Sequence, residues 1–64
     1  MIEIATKIKR LRKKKGMTQS QLAKKAGLHL TTIGTIEAGM RIPGLLTRKK
    51  LAKALGVSIM ELLD

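Results

Sequence analysis

Apolar residues return at helical spacing along most of this 64-residue chain. Ile4, Ile8 and Leu11, with Ala5 beside them, share one face and predict a first helix over about residues 3–15. Thr18 and Gln21 then form a Thr-x-x-Gln capping box, flanked by Met17 and Leu22 at the two staple positions. These coincident signals predict a second helix from about Gln19 to Ala26. Gly27, Leu28 and His29 separate it from a third helix that runs to about Glu37. Ile33 and Ile36 face inward on that helix, while Leu30, Thr31, Gly34 and Thr35 face outward. A loop over residues 39–44 holds the single proline, Pro43. A fourth helix over about Leu45 to Leu55 turns Leu45, Leu51, Ala52 and Leu55 inward. Ser58-x-x-Glu61 is a second capping box, opening a short fifth helix with Ile59, Leu62 and Leu63.

Glycine punctuates the pattern. Gly16, Gly27, Gly39 and Gly56 each precede an apolar residue: Met17, Leu28, Met40 and Val57. Glycine takes the left-handed conformation after a helix's last turn, and the next apolar residue folds back onto the helix. No segment sustains the period-two alternation of a strand. Residues 22–28 and 51–57 look alike because two helices end the same way. One such pair is too few for a solenoid. The expected fold is all-α, a compact bundle of five short helices in one domain over residues 1–64.

Composition narrows the choice of partner. Without cysteine there are no disulfides or thiolate metal sites, and without aromatics there is no stacking of bases on rings. Lys and Arg number 14 against 4 Asp and Glu, giving a net charge of +10, which calls for an acidic partner. Seven cations lie between Lys7 and Lys15. Any one of them reads equally well as a solvated charge near a helix end. No apolar run approaches the roughly 20 residues of a membrane span, and no signal peptide is visible. His29 stands alone, so no zinc constellation is present. The few carboxylates make no acid–base pair, and no Gly-rich phosphate loop follows a strand. The expectations are therefore a non-enzyme with no cofactor and no metal, in a reducing, cytoplasmic compartment.

The second and third helices, about residues 19–37, make a helix–short turn–helix unit. Ala23 allows close approach, Gly27 supplies the sharp turn, and Leu28, Ile33 and Ile36 pin the third helix in place. A DNA-reading helix-turn-helix has the same requirements. The segment Thr18-Gln19-Ser20-Gln21-Leu22-Ala23, then Ala26-Gly27, then the eight residues from Thr32 to Gly39, Pro43, and the stretch Leu51 to Ser58 resemble the phage repressor/Cro-type helix-turn-helix family. The resemblance spans about residues 4–63. It implies a five-helical fold that binds operator DNA, usually as a two-fold dimer.

Two kinds of DNA contact are expected. The N-terminus of the second helix offers free N–H groups to a phosphate. The resemblance places Gln19 on the backbone there, with Thr18 assisting. Arg41, in the loop after the third helix, is the best mobile cation, and Arg10 and Lys24 are weaker ones. For base reading, the resemblance assigns Leu30, Thr31 and Thr35, with His29 just before them. None of these is Arg, Asn or Gln, so the bidentate pairings with guanine and adenine are missing. Leucine and threonine methyls could pack on thymine methyls, or Leu30 could be a surface leucine without a role. Gly34 costs its helix about 1 kcal/mol relative to Ala. It either admits a close approach of DNA or is simply tolerated.

Arg12 lies one turn after Ile8 and needs a carboxylate partner. Glu3 is nine residues away on the same helix, Glu61 is committed to a cap and Asp64 is terminal. Glu37 remains, and the matching residues pair in the family. Arg12 and Glu37 are thus expected to clamp the first helix to the third. Arg48 and Lys49 fall where the family commonly carries aliphatic residues. Arg48 would either lay its stem over the core with a wet head or help contact DNA.

The predicted function is sequence-dependent binding of double-stranded DNA by a small regulator, a repressor by type, acting as a homodimer at least on DNA. The dimer surface is open, with Ile59, Met60 and Leu63 as candidates. Three rival readings are a protein-interaction module such as an antitoxin, a weakly specific DNA-coating protein, and a cationic segment lying on membranes. The helix stops and caps argue against the membrane reading.

Overall fold

A computed structural model describes residues 3–63; positions 1, 2 and 64 of the expected domain lie outside them. The described residues form four α-helices: α1 (Glu3–Lys14), α2 (Gln19–Ala26), α3 (Leu30–Glu37) and α4 (Leu45–Leu55). A single 3-10 turn, Ile59–Leu62, follows them, and no strand occurs among the described residues. α2 packs against α3 and α4. α1 packs against α3 and the 3-10 turn, which also packs on α4. The fully buried side chains are aliphatic and come from every element: Ile8, Leu22, Ile33, Ile36, Leu51, Leu55 and Leu62. Ala23, Ala26, Ala52 and Ala54 fill the close approaches between helices.

The caps explain the boundaries. Thr18 Oγ1 accepts from the Gln21 backbone N–H at 3.0 Å, and Gln21 Oε1 accepts from the Thr18 N–H at 2.8 Å. This is the reciprocal box. Four helix ends share one pattern of bonds across five residues: Met17 N–H to the Arg12 carbonyl, Leu28 to Ala23, Met40 to Thr35 and Val57 to Ala52, at 2.8–3.1 Å. These satisfy carbonyls that a helix end leaves over. Met17, Leu28 and Val57 pack on the core. Met40 does not fold back as expected and is 79% exposed.

Three further expectations need correction. The fifth helix is only the 3-10 turn. Ser58 Oγ accepts from Met60 N–H at 3.1 Å, but Glu61 does not return the bond, so Glu61 is not committed to a cap. Four residues with i→i+3 bonding do not build the α-helical first turn that a reciprocal box requires. Within that turn Leu62 is fully buried and Ile59 is half-buried, and Leu63 just after it is exposed. Leu45 is 57% exposed, because Pro43 and Arg48 close the core at that end of α4.

Arg48 neither keeps its head in water nor faces outward. It is 9% exposed, with Nε donating to the Pro43 carbonyl at 2.9 Å and Nη1 to the Leu62 carbonyl at 2.8 Å. Buried carbonyls in the loop before α4 and at the end of the 3-10 turn require a donor, and Arg48 supplies one to each.

Candidate nucleic-acid interface

The α2–α3 unit is held from behind by one carboxylate. Arg12 on α1 donates from Nε to Glu37 Oε2 at 2.6 Å and from Nη2 to Oε1 at 2.9 Å, a bidentate fork. Its Nη1 donates to the Met17 carbonyl at 2.7 Å, tying the turn before α2 into the same junction. Gln19, the first residue of α2, donates from Nε2 to Glu37 Oε1 at 3.1 Å. Glu37 therefore collects α1 and α2 at the end of α3. Burial alone would raise the Glu37 carboxyl. The bonds from Arg12 and Gln19, with the charges of Arg12 and Lys9, outweigh that and hold it below the usual carboxylate range. The hydrogen bond to Glu37 raises the Arg12 guanidinium against its own burial.

In front of this junction lies the outer face of α3. The turn into it is made by Gly27 at φ +70°, a conformation that favours glycine. His29 is the extended residue at the N-cap, exposed and without a side-chain cap bond. Leu30 is 52% exposed, Thr31 is exposed and Thr35 is half-buried. The two threonines differ chemically. Thr35 Oγ1 donates back to the carbonyls of Thr31 and Thr32 at 3.0 and 3.1 Å, so it presents an acceptor and a methyl. Thr31 makes no side-chain bond within the described residues and keeps both donor and acceptor.

Gly34 sits beside Gln19, and a Cβ built there would lie 4.0 Å from Gln19 Oε1. That distance is ordinary contact, so packing does not demand glycine at this site.

The expected backbone-contact residues divide into separate places. Thr18 and Gln19 stand together at the N-terminus of α2, adjoining α3 through Glu37. Arg41 is exposed in the loop after α3. Arg10 lies on α1 beside Glu3, Thr6 and Lys7, lining a basin with no residue of α3. Lys24 lies toward α4, with Lys25, Lys50 and Lys53. Sequence reasoning missed the Gln19–Glu37 bond, since an amide at a helix start carries no signal of what it will face.

The profile of the helix-turn-helix family matches residues 8–62. The chain belongs to the helix-turn-helix family of transcriptional regulators. It is 37% identical over 59 residues to the HTH-type transcriptional regulator y4dJ of Sinorhizobium fredii, covering 92% of this chain and 77% of that protein. The crystal structure of the restriction-modification controller protein C.AhdI from Aeromonas hydrophila superposes with a TM-score of 0.93 at 34% identity, covering 97% of this chain and 94% of the other. The regulator SinR of Bacillus subtilis, solved in complex with DNA, superposes at 0.89 with 37% identity, covering 95% and 98%. These relatives do not favour the interaction-module alternative. No helix among the described residues is long and apolar enough to cross a membrane.

Proposed function

We propose that residues 1–64 act as one domain that binds duplex DNA in a sequence-dependent way, as a non-catalytic, cytoplasmic regulator of repressor type. The observation that carries this reading is the outer face of α3, with Leu30 and Thr31 exposed and Thr35 half-buried, on a helix that Glu37 fixes to α1 and α2. A rigid outer helix of this size enters the major groove of B-form DNA. The N-terminus of α2, with Thr18 and Gln19, approaches a phosphate there, and Arg41 reaches a neighbouring one. Gln19 is held by Glu37 through its amide nitrogen, so its position is fixed before DNA arrives. Recognition rests on the Leu30 and threonine methyls and on the free Thr31 hydroxyl. It discriminates modestly and leans toward thymine-containing steps.

One domain reads one half-site. Two-fold pairing with half-sites about 10 base pairs apart follows from that geometry. Exposed apolar side chains flank the segments that Arg48 ties together: Ile42, Leu45 and Leu46 beside Pro43, and Met60 and Leu63 beside Leu62. This surface suits a dimer seam better than the C-terminal turn alone.

Selection from a random duplex library tests the reading. An enriched inverted repeat is expected. Binding without enrichment would replace the regulator with a charge-driven DNA coater.

A further inference from the structure

Cations elsewhere on the molecule gather away from the reading face. Lys24, Lys25, Lys50 and Lys53 line a basin of roughly 480 Å³ between the end of α2 and α4, together with Ala26, Gly27 and Ala54. A second basin of roughly 240 Å³ adjoins it and shares Lys25, Lys53 and Ala54. Lys15 lines this one, with its Nζ 3.9 Å from where a Cβ on Gly56 would lie. The two basins form one trough bordered by five lysines. None of these lysines pairs with an acid among the described residues, and no residue of α3 lines the trough.

Helix-end carbonyls account for some of this charge. The trough lies at the C-terminal ends of α2 and α4, where a cation is favourable. They do not account for five ammonium groups around a shared hollow whose other lining residues are uncharged. Such crowding opposes folding unless a polyanion relieves it. Lysine is a flexible point charge suited to phosphate rather than to directed base reading. The lining contains no aromatic and no hydrogen-bonding amide side chain.

We propose that this trough is a second contact surface for the phosphodiester backbone of duplex DNA, separate from the surface of α3. The shared chemistry is a row of phosphates, supplied either by the flanking stretch of the bound duplex bent around the protein or by a second duplex. The proposal goes beyond the reading of α3 and stands or falls separately from it.

The test compares the wild-type chain with a Lys25→Gln/Lys50→Gln/Lys53→Gln variant, on a duplex one helical turn long and on one several turns long. On the short duplex, affinity should stay within about twofold, because these residues lie outside the reading surface. On the long duplex, the slope of log K against log salt should shrink by about 2 to 3, near 0.9 for each lost contact. A rise in energy transfer between the ends of one long duplex identifies the flanking stretch, and co-capture of a second duplex identifies bridging.

Amide shifts of the wild-type chain keep the test independent of the variant's folding. Shifts at Lys25 and Lys53 with the long duplex support the trough even if α3 is silent, an outcome that would sink the major-groove reading alone. Shifts at α3 with none at the trough overturn the proposal. So does an unchanged salt slope, or an equal loss on both duplexes. A trough that binds polyglutamate while the salt slope stays unchanged would assign it to protein recognition, against the proposal.

Discussion

Two buried arginines divide the molecule. In the reading half, Arg12 meets a carboxylate, and that carboxylate also holds the first residue of α2. In the second half, Arg48 donates to the carbonyls of Pro43 and Leu62, knitting the loop before α4 to the terminal turn. The first arrangement uses charge to fix three elements around the surface that must stay rigid. The second uses backbone groups to close an end of the core that aromatic side chains could have covered in another sequence. A small bundle without aromatics can therefore use a guanidinium as packing and as glue at once. The half that reads DNA depends on a titratable group, Glu37.

The largest expected effect comes from breaking the first junction. Glu37→Ala leaves the Arg12 guanidinium buried without its carboxylate and should cost about 3–5 kcal/mol in urea unfolding, a large fraction of the stability of a domain of this size. Arg12→Met combined with Glu37→Leu should recover much of that loss. A double variant as unstable as the single one would show that the junction contributes more than charge compensation.

Next comes Arg48→Met, which keeps the apolar stem and removes the donors to Pro43 and Leu62. It should cost about 1–3 kcal/mol by the same measurement, with little change in affinity of the folded fraction for DNA. A selective loss of affinity would mean that the second half orients the reading surface after all.

The third contrast is pH. The Glu37 carboxyl is held below its ordinary value in the fold, so its contribution is complete above the unfolded carboxylate value of about 4.3. That contribution fades as pH falls below that value and through the folded one. Thermal melts across acidic pH should show this decline in the wild type, and a weaker one in the Arg12→Met/Glu37→Leu variant. Identical declines in the two would place the acid sensitivity elsewhere.

The smallest effect is expected at Gly34. A Cβ fits against Gln19, so Gly34→Ala should stabilise α3 by up to about 1 kcal/mol. If Gly34 admits the DNA backbone or a base edge, affinity should fall while stability rises. Unchanged affinity would show that glycine is merely tolerated there.

Much of the fold could be read from local signals, and the exceptions share a cause. The bounds of α2 and α4 follow from a capping box and from glycines, which are written in neighbouring residues. The outward side of α3 follows from its periodicity. Arg48 could not be read, because the carbonyls it satisfies are left over only after Pro43 and Leu62 have been brought to it by the fold. Leu45 falls on the inward stripe by spacing yet lies past the edge of the core, and Met40 lacks a wall to fold against. At the interface, spacing placed Leu30, Thr31 and Thr35 on one face. It gave no hint that Thr35 spends its proton on its own helix while Thr31 keeps its own.

The central claim is that α3 reads bases while the cations outside it hold the backbone. Affinities of wild type, Thr31→Ala and Arg41→Ala across a panel of related duplexes, at one salt concentration, test it most directly. Thr31→Ala should reorder the preferred sites, and Arg41→Ala should weaken all of them by a similar factor. A Thr31→Ala variant that keeps the order, alongside an Arg41→Ala variant that changes it, would contradict the account.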